Sequence, residues 1–138
     1  MSLEVSVVTI EREVYVADDA DMVIAPGVEG VLGVMAHHEP IVAALKAGEL
    51  VIVRGDQRDV MAISGGYLEV HGTEVVVMAD VAEHAYEIDV ERAEAARARA
   101  QAQLAAARGA TESERALAAL RRAGVRLRVA RRRGRSAD

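Results

Sequence analysis

The chain has 138 residues, of which 51% are hydrophobic and 2% aromatic, and its net charge is −5. This length fits one domain or a small domain with an appendage, and the apolar content excludes global disorder. The absence of cysteine excludes disulfides, thiolate metal sites and a cysteine nucleophile. No run reaches the roughly 18 apolar residues of a membrane span, and the N-terminus lacks the basic start of a signal peptide. We therefore expect a soluble, cytoplasmic chain.

Charge is distributed unevenly along the chain. Residues 1–87 carry 4 basic and 16 acidic residues, a net charge of −12, whereas residues 88–138 carry 13 arginines and 6 acidic residues, a net charge of +7. Such a division predicts two modules with different partners, or an acidic body on which a basic arm can fold and from which it can detach.

The first 84 residues or so predict β-structure. Short runs rich in β-branched residues alternate with turn residues, and no helical period separates most of them. These runs cover residues 3–9, 13–16, 21–25, 49–54, 59–64, 67–70 and 74–79. They predict an antiparallel sandwich or barrel. The segment 38–48 is compatible with either a strand or a short helical turn.

The last 50 residues predict two helices. Asp89 is a suitable N-cap for a first helix that runs to Arg108, with Gly109 as its C-terminal stop. Thr111 and Glu114 form a T-x-x-E capping box for a second helix that runs to about residue 130. The tail 131–138 is predicted to be disordered.

The two helices are expected to pack weakly. The predicted contact line of the first helix is almost all alanine (Ala93, Ala96, Ala100, Leu104 and Ala107). That of the second is Leu117, Leu120, Gly124 and Leu127. Small side chains bury little apolar area, so the hairpin should be marginally stable alone and is a suitable moving part.

No catalytic constellation emerges from the sequence. The stretch GVEGVLG (27–33) lacks the spacing of a phosphate-binding loop and predicts a pair of glycine-rich turns. The HHE triplet at 37–39 can bind a metal or contact a partner, although a polar surface loop is the simpler interpretation. No metal site is predicted.

Arginines provide the clearest chemical signal. Arg92 and Arg99 share one face of the first predicted helix because they are seven residues apart. Arg115, Arg122 and Arg126 share a face of the second, with Arg121 and Arg128 close beside it. Guanidinium groups aimed from two helices can bind the phosphates of one polyanion. Spacing alone also fits a solvated basic face, or RNA binding, although the basic half has no aromatic residue to stack on a base.

Three segments carry a resemblance to a known family. Residues 29–50, 62–83 (with S-G-G-Y-L-E-V) and 88–93 (I-D-x-x-R-A) resemble the epsilon subunit of bacterial F-type ATP synthases over nearly the whole chain. The resemblance implies an N-terminal antiparallel β-sandwich of about ten strands (1–87), followed by a two-helix regulatory domain with a basic tail (88–138).

The resemblance also implies a function. A non-catalytic rotor subunit of this kind couples the alpha-beta catalytic head to the membrane rotor of a proton-translocating ATP synthase. Its sandwich binds the gamma subunit and the c-ring, and its hairpin extends into the head to inhibit ATP hydrolysis. ATP is then a regulatory ligand of the folded hairpin, and no cofactor is obligatory. No nucleic acid is implied, and membrane association is peripheral, at the cytoplasmic face of the plasma membrane, through the complex only.

Three residue sets follow from the resemblance by position. The implied ATP contacts are Glu83, Ile88, Asp89, Arg92, Ala93, Arg99, Arg122 and Arg126. The implied c-ring-facing segment is a loop over residues 29–40 that contains Glu29, His38 and Glu39. The implied inhibitory contacts with the head are Arg115, Arg121, Arg122, Arg126 and Arg128. One departure concerns the c-ring loop, because Ala36 and His37 stand where the family usually has Pro-Gly.

Two alternatives remain open at this level. The chain can be a stand-alone ATP-sensing protein with the same fold, or an Arg-rich RNA-binding scaffold.

Overall fold

The computed structural model describes residues 2–132. Ten strands are followed by a short 3-10 helix and two α-helices, which confirms the predicted fold class. The strands are β1 (Leu3–Val8), β2 (Glu13–Ala20), β3 (Met22–Gly27), β4 (Gly30–Met35), β5 (Ile41–Leu45), β6 (Gly48–Arg54), β7 (Gln57–Ile63), β8 (Gly66–His71), β9 (Glu74–Ala79) and β10 (Ala82–His84). The helices are the 3-10 helix Ala85–Glu87, α1 (Val90–Ala106) and α2 (Ala110–Arg132).

The strands pair in the order β10-β7-β6-β3-β5-β8-β9-β1-β2, with β4 paired to β3 outside this path. Strands β3 and β5 join through a single pair of residues, Gly27 and Leu45, where the sheet turns from one layer of the sandwich to the other. All pairs are antiparallel except β1 with β9. That pair brings strands from distant parts of the chain side by side, which a local strand pattern does not reveal.

Period-two alternation builds the core. In β1, Leu3, Val5 and Val7 are buried, whereas the intervening residues face outwards. Each of the ten strands contributes at least one buried apolar residue to the same cluster. Burial of these side chains is the main source of stability for the sandwich.

A polar cluster ties edge strand β2 to β6 and β7. The Tyr15 hydroxyl donates to Asp59 Oδ2 at 2.5 Å, and Arg54 Nε donates to the same oxygen at 2.9 Å. Burial, and then the hydrogen bond to the Asp59 carboxylate, raise the pKa of Tyr15 well above its usual range. The same carboxylate raises the pKa of Arg54. The cluster is structural, because it links strands from both ends of the sheet.

The glycines of S-G-G-Y have a steric role. Gly65 and Gly66 have φ values of 83° and 125°, a region that favours glycine. At Gly66 a Cβ atom would also collide with the Met78 carbonyl on the neighbouring strand. The motif therefore allows the turn into β8 to pass close to β9.

In the first module one prediction is wrong, and one open alternative is decided. The stretch 27–33 is not a pair of turns, because only Val28 and Glu29 lie between strands and β4 begins at Gly30. Strand β4 escapes detection because it is a glycine-containing edge strand whose register is set by β3. The ambiguous segment 38–48 contains strand β5 and no helical turn.

The start of α1 is as predicted, but the connection between the helices is not. The Asp89 carboxylate accepts a hydrogen bond from the Arg92 backbone N–H at 3.1 Å, which makes Asp89 the N-cap. Gly109 does not end α1 in the left-handed conformation. Instead, its carbonyl accepts the bond from Ser113 N that opens α2. The predicted capping box is wrong, because α2 begins at Ala110 and it is the Glu112 carboxylate that accepts from Arg108 N.

Alanines line the contact between the two helices. Ala93 and Ala100 of α1 are buried, as predicted. In α2, Leu127 is buried as predicted, and Leu120 and Gly124 are half-buried. Leu117 is exposed, and the buried residues Ala116 and Ala123 were not part of the predicted line. The predicted disordered tail also begins too early, since α2 continues to Arg132. Residues 133–138 of that tail lie outside the described residues.

The hairpin is folded against the sandwich. A second apolar cluster combines Ala62 of β7 and Ala85 with residues of both helices. The helical members and the linker residue are Ile88, Ala93, Val125, Leu127, Val129 and Ala130. Ala62 is available to the hairpin because its neighbours Met61 and Ile63 face the sandwich core. Within residues 2–132, the helices do not have the length and hydropathy that a bilayer-crossing helix requires.

Candidate ligand site between the two modules

A cavity of about 520 Å³ lies between the sandwich and the hairpin. The ends of β7 and β10 form one side, and α1 and α2 form the other. Its charged residues are Glu83, Arg92, Arg99, Arg122 and Arg126. Its apolar wall consists mostly of small side chains, including Ala96, Ala100 and Ala119. The cavity exists only when the hairpin is folded on the sandwich, because both modules supply its walls.

Arg126 and Glu83 form an ion pair inside this cavity. Arg126 Nη2 donates to Glu83 Oε2 at 3.1 Å, and Nε lies 2.7 Å from Oε1. The Nε–H is not aligned with that oxygen, so this buried donor makes no hydrogen bond despite the short distance. About a quarter of each side chain is exposed. The pair links α2 to the sandwich.

The other three arginines of the cavity are not neutralised. Arg92, Arg99 and Arg122 are exposed, and no carboxylate of residues 2–132 forms a salt bridge with them. Four guanidinium groups therefore face one carboxylate in a confined space. Like charges at this density repel, and a polyanion placed between them would relieve the repulsion. The geometry thus suits a ligand with several phosphate oxygens.

Of the eight ATP contacts implied by the resemblance, five line this cavity and three do not. Ile88 is buried in the apolar cluster between the modules, and Ala93 is completely buried beside it. Asp89 caps α1. These three residues fix the start of α1, and this start determines where Arg92 projects. The I-D-x-x-R-A hexapeptide thus combines an apolar anchor, a helix cap, a cation and a packing residue.

Sequence reasoning missed several residues of the cavity. Gln103 contributes a carboxamide, and Ala96 forms part of the wall. Both share a helix face with Arg92 and Arg99 because the positions follow the helical period, so this spacing could have revealed them. Ser64, which lies at the end of β7, carries no such signal.

A second charge contact holds the end of α2. Glu49 of β6 forms an ion pair with Arg132, with 2.8 Å between Oε2 and Nη2, and its Oε1 lies 4.0 Å from Arg128 Nε. Of the five arginines implied as contacts with the catalytic head, Arg126 and Arg128 thus face sandwich carboxylates. Arg122 lines the cavity, and Arg115 and Arg121 are exposed on the helix surface.

The segment 29–40 is not the single loop that was predicted. Glu29 lies in the turn before β4, and His38 and Glu39 lie after it. Six strand residues at about 3.3 Å each separate the two groups by roughly 20 Å. His38 N donates to Met35 O at 3.2 Å, and His37 has a φ of 67°, which gives a turn of type II geometry. Pro-Gly would suit this turn without strain.

The HHE triplet forms part of the same turn. His38 Nδ1 lies 2.7 Å from the Glu39 carbonyl, which is an interaction within the turn. In the described part of the chain, no three His, Asp or Glu side chains are grouped as metal ligands.

Comparison with known families identifies the class of protein. The family model of the beta-sandwich domain of the ATP synthase delta/epsilon chain matches residues 2–85. The model of the long alpha-helix domain of the same chain matches residues 87–131. The two models meet at the junction between the strands and the helical hairpin.

Similar full-length proteins agree with this assignment. The ATP synthase epsilon chain of Dehalococcoides mccartyi is 45% identical, over 95% of this chain and 94% of that protein. The epsilon chain of Syntrophobacter fumaroxidans is 46% identical, over 93% of this chain and 95% of that protein. The chain belongs to the delta/epsilon family of ATP synthase subunits, and the relatives named here are epsilon chains. The predicted function, an epsilon subunit of an ATP synthase, is confirmed at this level.

A solved structure confirms the fold. A chain of the Euglena gracilis mitochondrial ATP synthase, from a cryo-EM structure of the OSCP/F1/c-ring assembly, superimposes with a TM-score of 0.77. The two chains are 24% identical, and the match covers 87% of this chain and 76% of that one.

Proposed function

We propose that this subunit is a non-catalytic rotor component whose hairpin acts as an ATP-sensitive brake on ATP hydrolysis. The observation that supports this proposal is the arginine-lined cavity, because sandwich and hairpin enclose it jointly. A ligand of such a cavity necessarily favours the docked hairpin.

ATP fits the chemistry of the cavity. Its triphosphate would lie among Arg92, Arg99, Arg122 and Arg126, where guanidinium groups can bind phosphate oxygens in pairs. The alanine-rich wall leaves room for the nucleoside, and Gln103 and Ser64 offer hydrogen bonds to it. A ligand that binds only the docked form stabilises it by about 2.7 kcal/mol at 100 times its dissociation constant. Such an amount is sufficient to shift a marginally stable hairpin.

The undocked hairpin would inhibit hydrolysis through its arginines. Undocking separates Arg126 from Glu83 and Arg128 from Glu49. Together with Arg115, Arg121 and Arg122, these residues would pair with acidic residues of the alpha-beta catalytic head. ATP and the head then compete for Arg122 and Arg126, so abundant ATP relieves the inhibition.

The sandwich would attach the subunit to gamma through its exposed apolar face. Ala44 lies opposite Tyr67, and Tyr67 lies opposite Met78, so these outward-facing side chains form a continuous row across β5, β8 and β9. Tyr67 is 55% exposed and Met78 42% exposed. A contiguous apolar patch with an aromatic residue is typical of a protein interface.

One end of the sandwich would rest on the c-ring at the cytoplasmic face of the membrane. Glu29 lies at one end of β4, and His38 and Glu39 lie at the other. A ring that receives one end of the sandwich would therefore contact only one of these two groups.

Calorimetric titration with ATP tests the ligand assignment. Arg92→Ala and Arg99→Ala should each weaken binding roughly tenfold, because each removes a charge-assisted contact worth about 1.5 kcal/mol. Arg97→Ala is the matched control, since Arg97 lies on the same helix and outside the cavity. Unchanged affinity in both cavity variants would refute the assignment of ATP to this cavity.

A further inference from the structure

A second, larger cavity lies on the other side of α2. Its volume is about 890 Å³, and its walls come from the β5–β6 turn, the β7–β8 turn and α2. Four cationic side chains line it, namely Lys46, Arg121, Arg122 and Arg128. Among residues 2–132, none of the side chains that line it is a carboxylate. Lys46 is the only lysine of the chain, and it lies on the sandwich opposite the arginines of the helix.

The charges of this cavity are largely uncompensated. Within residues 2–132, Lys46, Arg121 and Arg122 form no salt bridge, and Arg128 only approaches Glu49, which is closer to Arg132. Holding four cations around one cavity costs electrostatic energy, and a bound anion would offset it. The cations come from both modules, so they converge only when the hairpin is docked.

The remaining lining residues indicate which anion fits. Ala47, Gly65, Ala118 and Gly124 are small. Within the described part of the chain, no aromatic ring, carboxamide or carboxylate lines the cavity and could recognise a base or a ribose. A Cβ atom added at Gly124 would meet no atom within 4 Å, so the surface of the helix is open at this point. A compact, multiply charged anion satisfies such a site better than a nucleoside does.

We propose that this second cavity binds a small phosphate-class oxyanion, either inorganic phosphate or pyrophosphate, and that the bound anion helps to hold the hairpin on the sandwich. Arg122 and Ser64 line both cavities. The two sites therefore share one cation, while Lys46 and Arg121 belong to the second cavity alone. This division allows the two ligands to be tested separately.

The test is calorimetric titration of the full chain with pyrophosphate and, separately, with phosphate, at constant ionic strength. Lys46→Gln and Arg121→Gln should each weaken binding of the better anion roughly threefold to tenfold, because each removes one exposed charge contact with it. Gly124→Leu should weaken binding by filling the cavity without removing a charge. Arg97→Gln, outside both cavities, should leave the affinity unchanged. Circular dichroism of each variant checks that the helices are retained.

Two results would overturn the proposal. The anion is held by diffuse charge if Lys46→Gln, Arg121→Gln and Gly124→Leu all bind it with the affinity of the unaltered chain. The same conclusion follows if Arg97→Gln weakens binding as much as Lys46→Gln and Arg121→Gln do. If Arg99→Ala abolishes pyrophosphate binding, the anion occupies the first cavity. The proposal for ATP is independent, since its failure appears as unchanged ATP affinity in Arg92→Ala and Arg99→Ala.

Discussion

Docking of the hairpin depends on a small apolar interface, which two identical substitutions on α2 can test. Leu127 is 5% exposed and belongs to the cluster between the modules, whereas Leu117 is 37% exposed and lies outside it. Leucine to alanine removes three carbons, which at about 0.8 kcal/mol each give about 2.4 kcal/mol of lost burial for Leu127→Ala. This energy corresponds to a roughly 50-fold shift towards the undocked hairpin. Leu117→Ala makes the same change in helix propensity with little loss of docking.

Hydrogen exchange of the α2 amides measures this difference. An Ala-rich hairpin released from the sandwich frays, so exchange of amides between Ala123 and Val129 should accelerate by more than tenfold in Leu127→Ala. The same amides should change little in Leu117→Ala, and the β-strand amides should be unaffected in both. Equal acceleration in the two variants would show that Leu127 does not hold α2 on the sandwich.

Three further predictions concern the sandwich. Because its folded-state pKa is raised, Tyr15 stabilises the fold at neutral pH, and this contribution disappears as pH rises above about 10. The free energy of unfolding in urea should therefore decline less steeply above pH 10 in Tyr15→Phe than in the unaltered chain. An equal decline in both would contradict the raised pKa of Tyr15. His37 has a positive φ, which strains a residue with a side chain, so His37→Gly should raise the free energy of unfolding by about 0.5–1 kcal/mol. Ala36→Gly should not raise it. A loss of stability in His37→Gly would show that the backbone at His37 is not strained. A cysteine in place of Glu29 or of His38 should cross-link to the c-ring from one of these two positions only. Cross-linking from neither position would show that neither end of β4 contacts the c-ring.

Much of the sandwich was predictable because short runs of β-branched residues alternate with turn residues, and because β1, β8 and β9 also alternate between buried and outward-facing positions. In β1, the alternation of Leu3, Val5 and Val7 with outward-facing residues indicates a half-buried strand without tertiary information. Strand β4 was not predictable, because its glycines lower β-propensity and its pairing depends on β3. The parallel pairing of β1 with β9 likewise depends on the path of the whole sheet.

The packing of α2 was misread for a different reason. A single period selects the large side chains Leu117 and Leu120, but α2 contacts two partners on different faces. Ala116, Ala123, Val125 and Val129 are all buried, but only the two valines belong to the cluster that joins the hairpin to the sandwich. Two overlapping faces do not produce one clear periodic line.

The cavity was partly predictable. The spacing of Arg92 and Arg99 places both on one helix face, and the structure brings them to the same cavity. The pairing of Arg126 with Glu83 joins residues 43 positions apart, and only the docking of the two modules creates it. The second cavity was invisible for the same reason, because Lys46 meets the arginines of α2 only in the folded chain.

The most direct test of the braking role is ATP hydrolysis by a reconstituted catalytic head with gamma and either the full chain or residues 1–87. The apolar core of the sandwich lies within residues 3–82, so the truncated chain retains it. Removal of the hairpin should increase hydrolysis at low ATP, and the difference between the two complexes should shrink as ATP rises. Equal hydrolysis by both complexes at every ATP concentration would contradict a braking role of the hairpin.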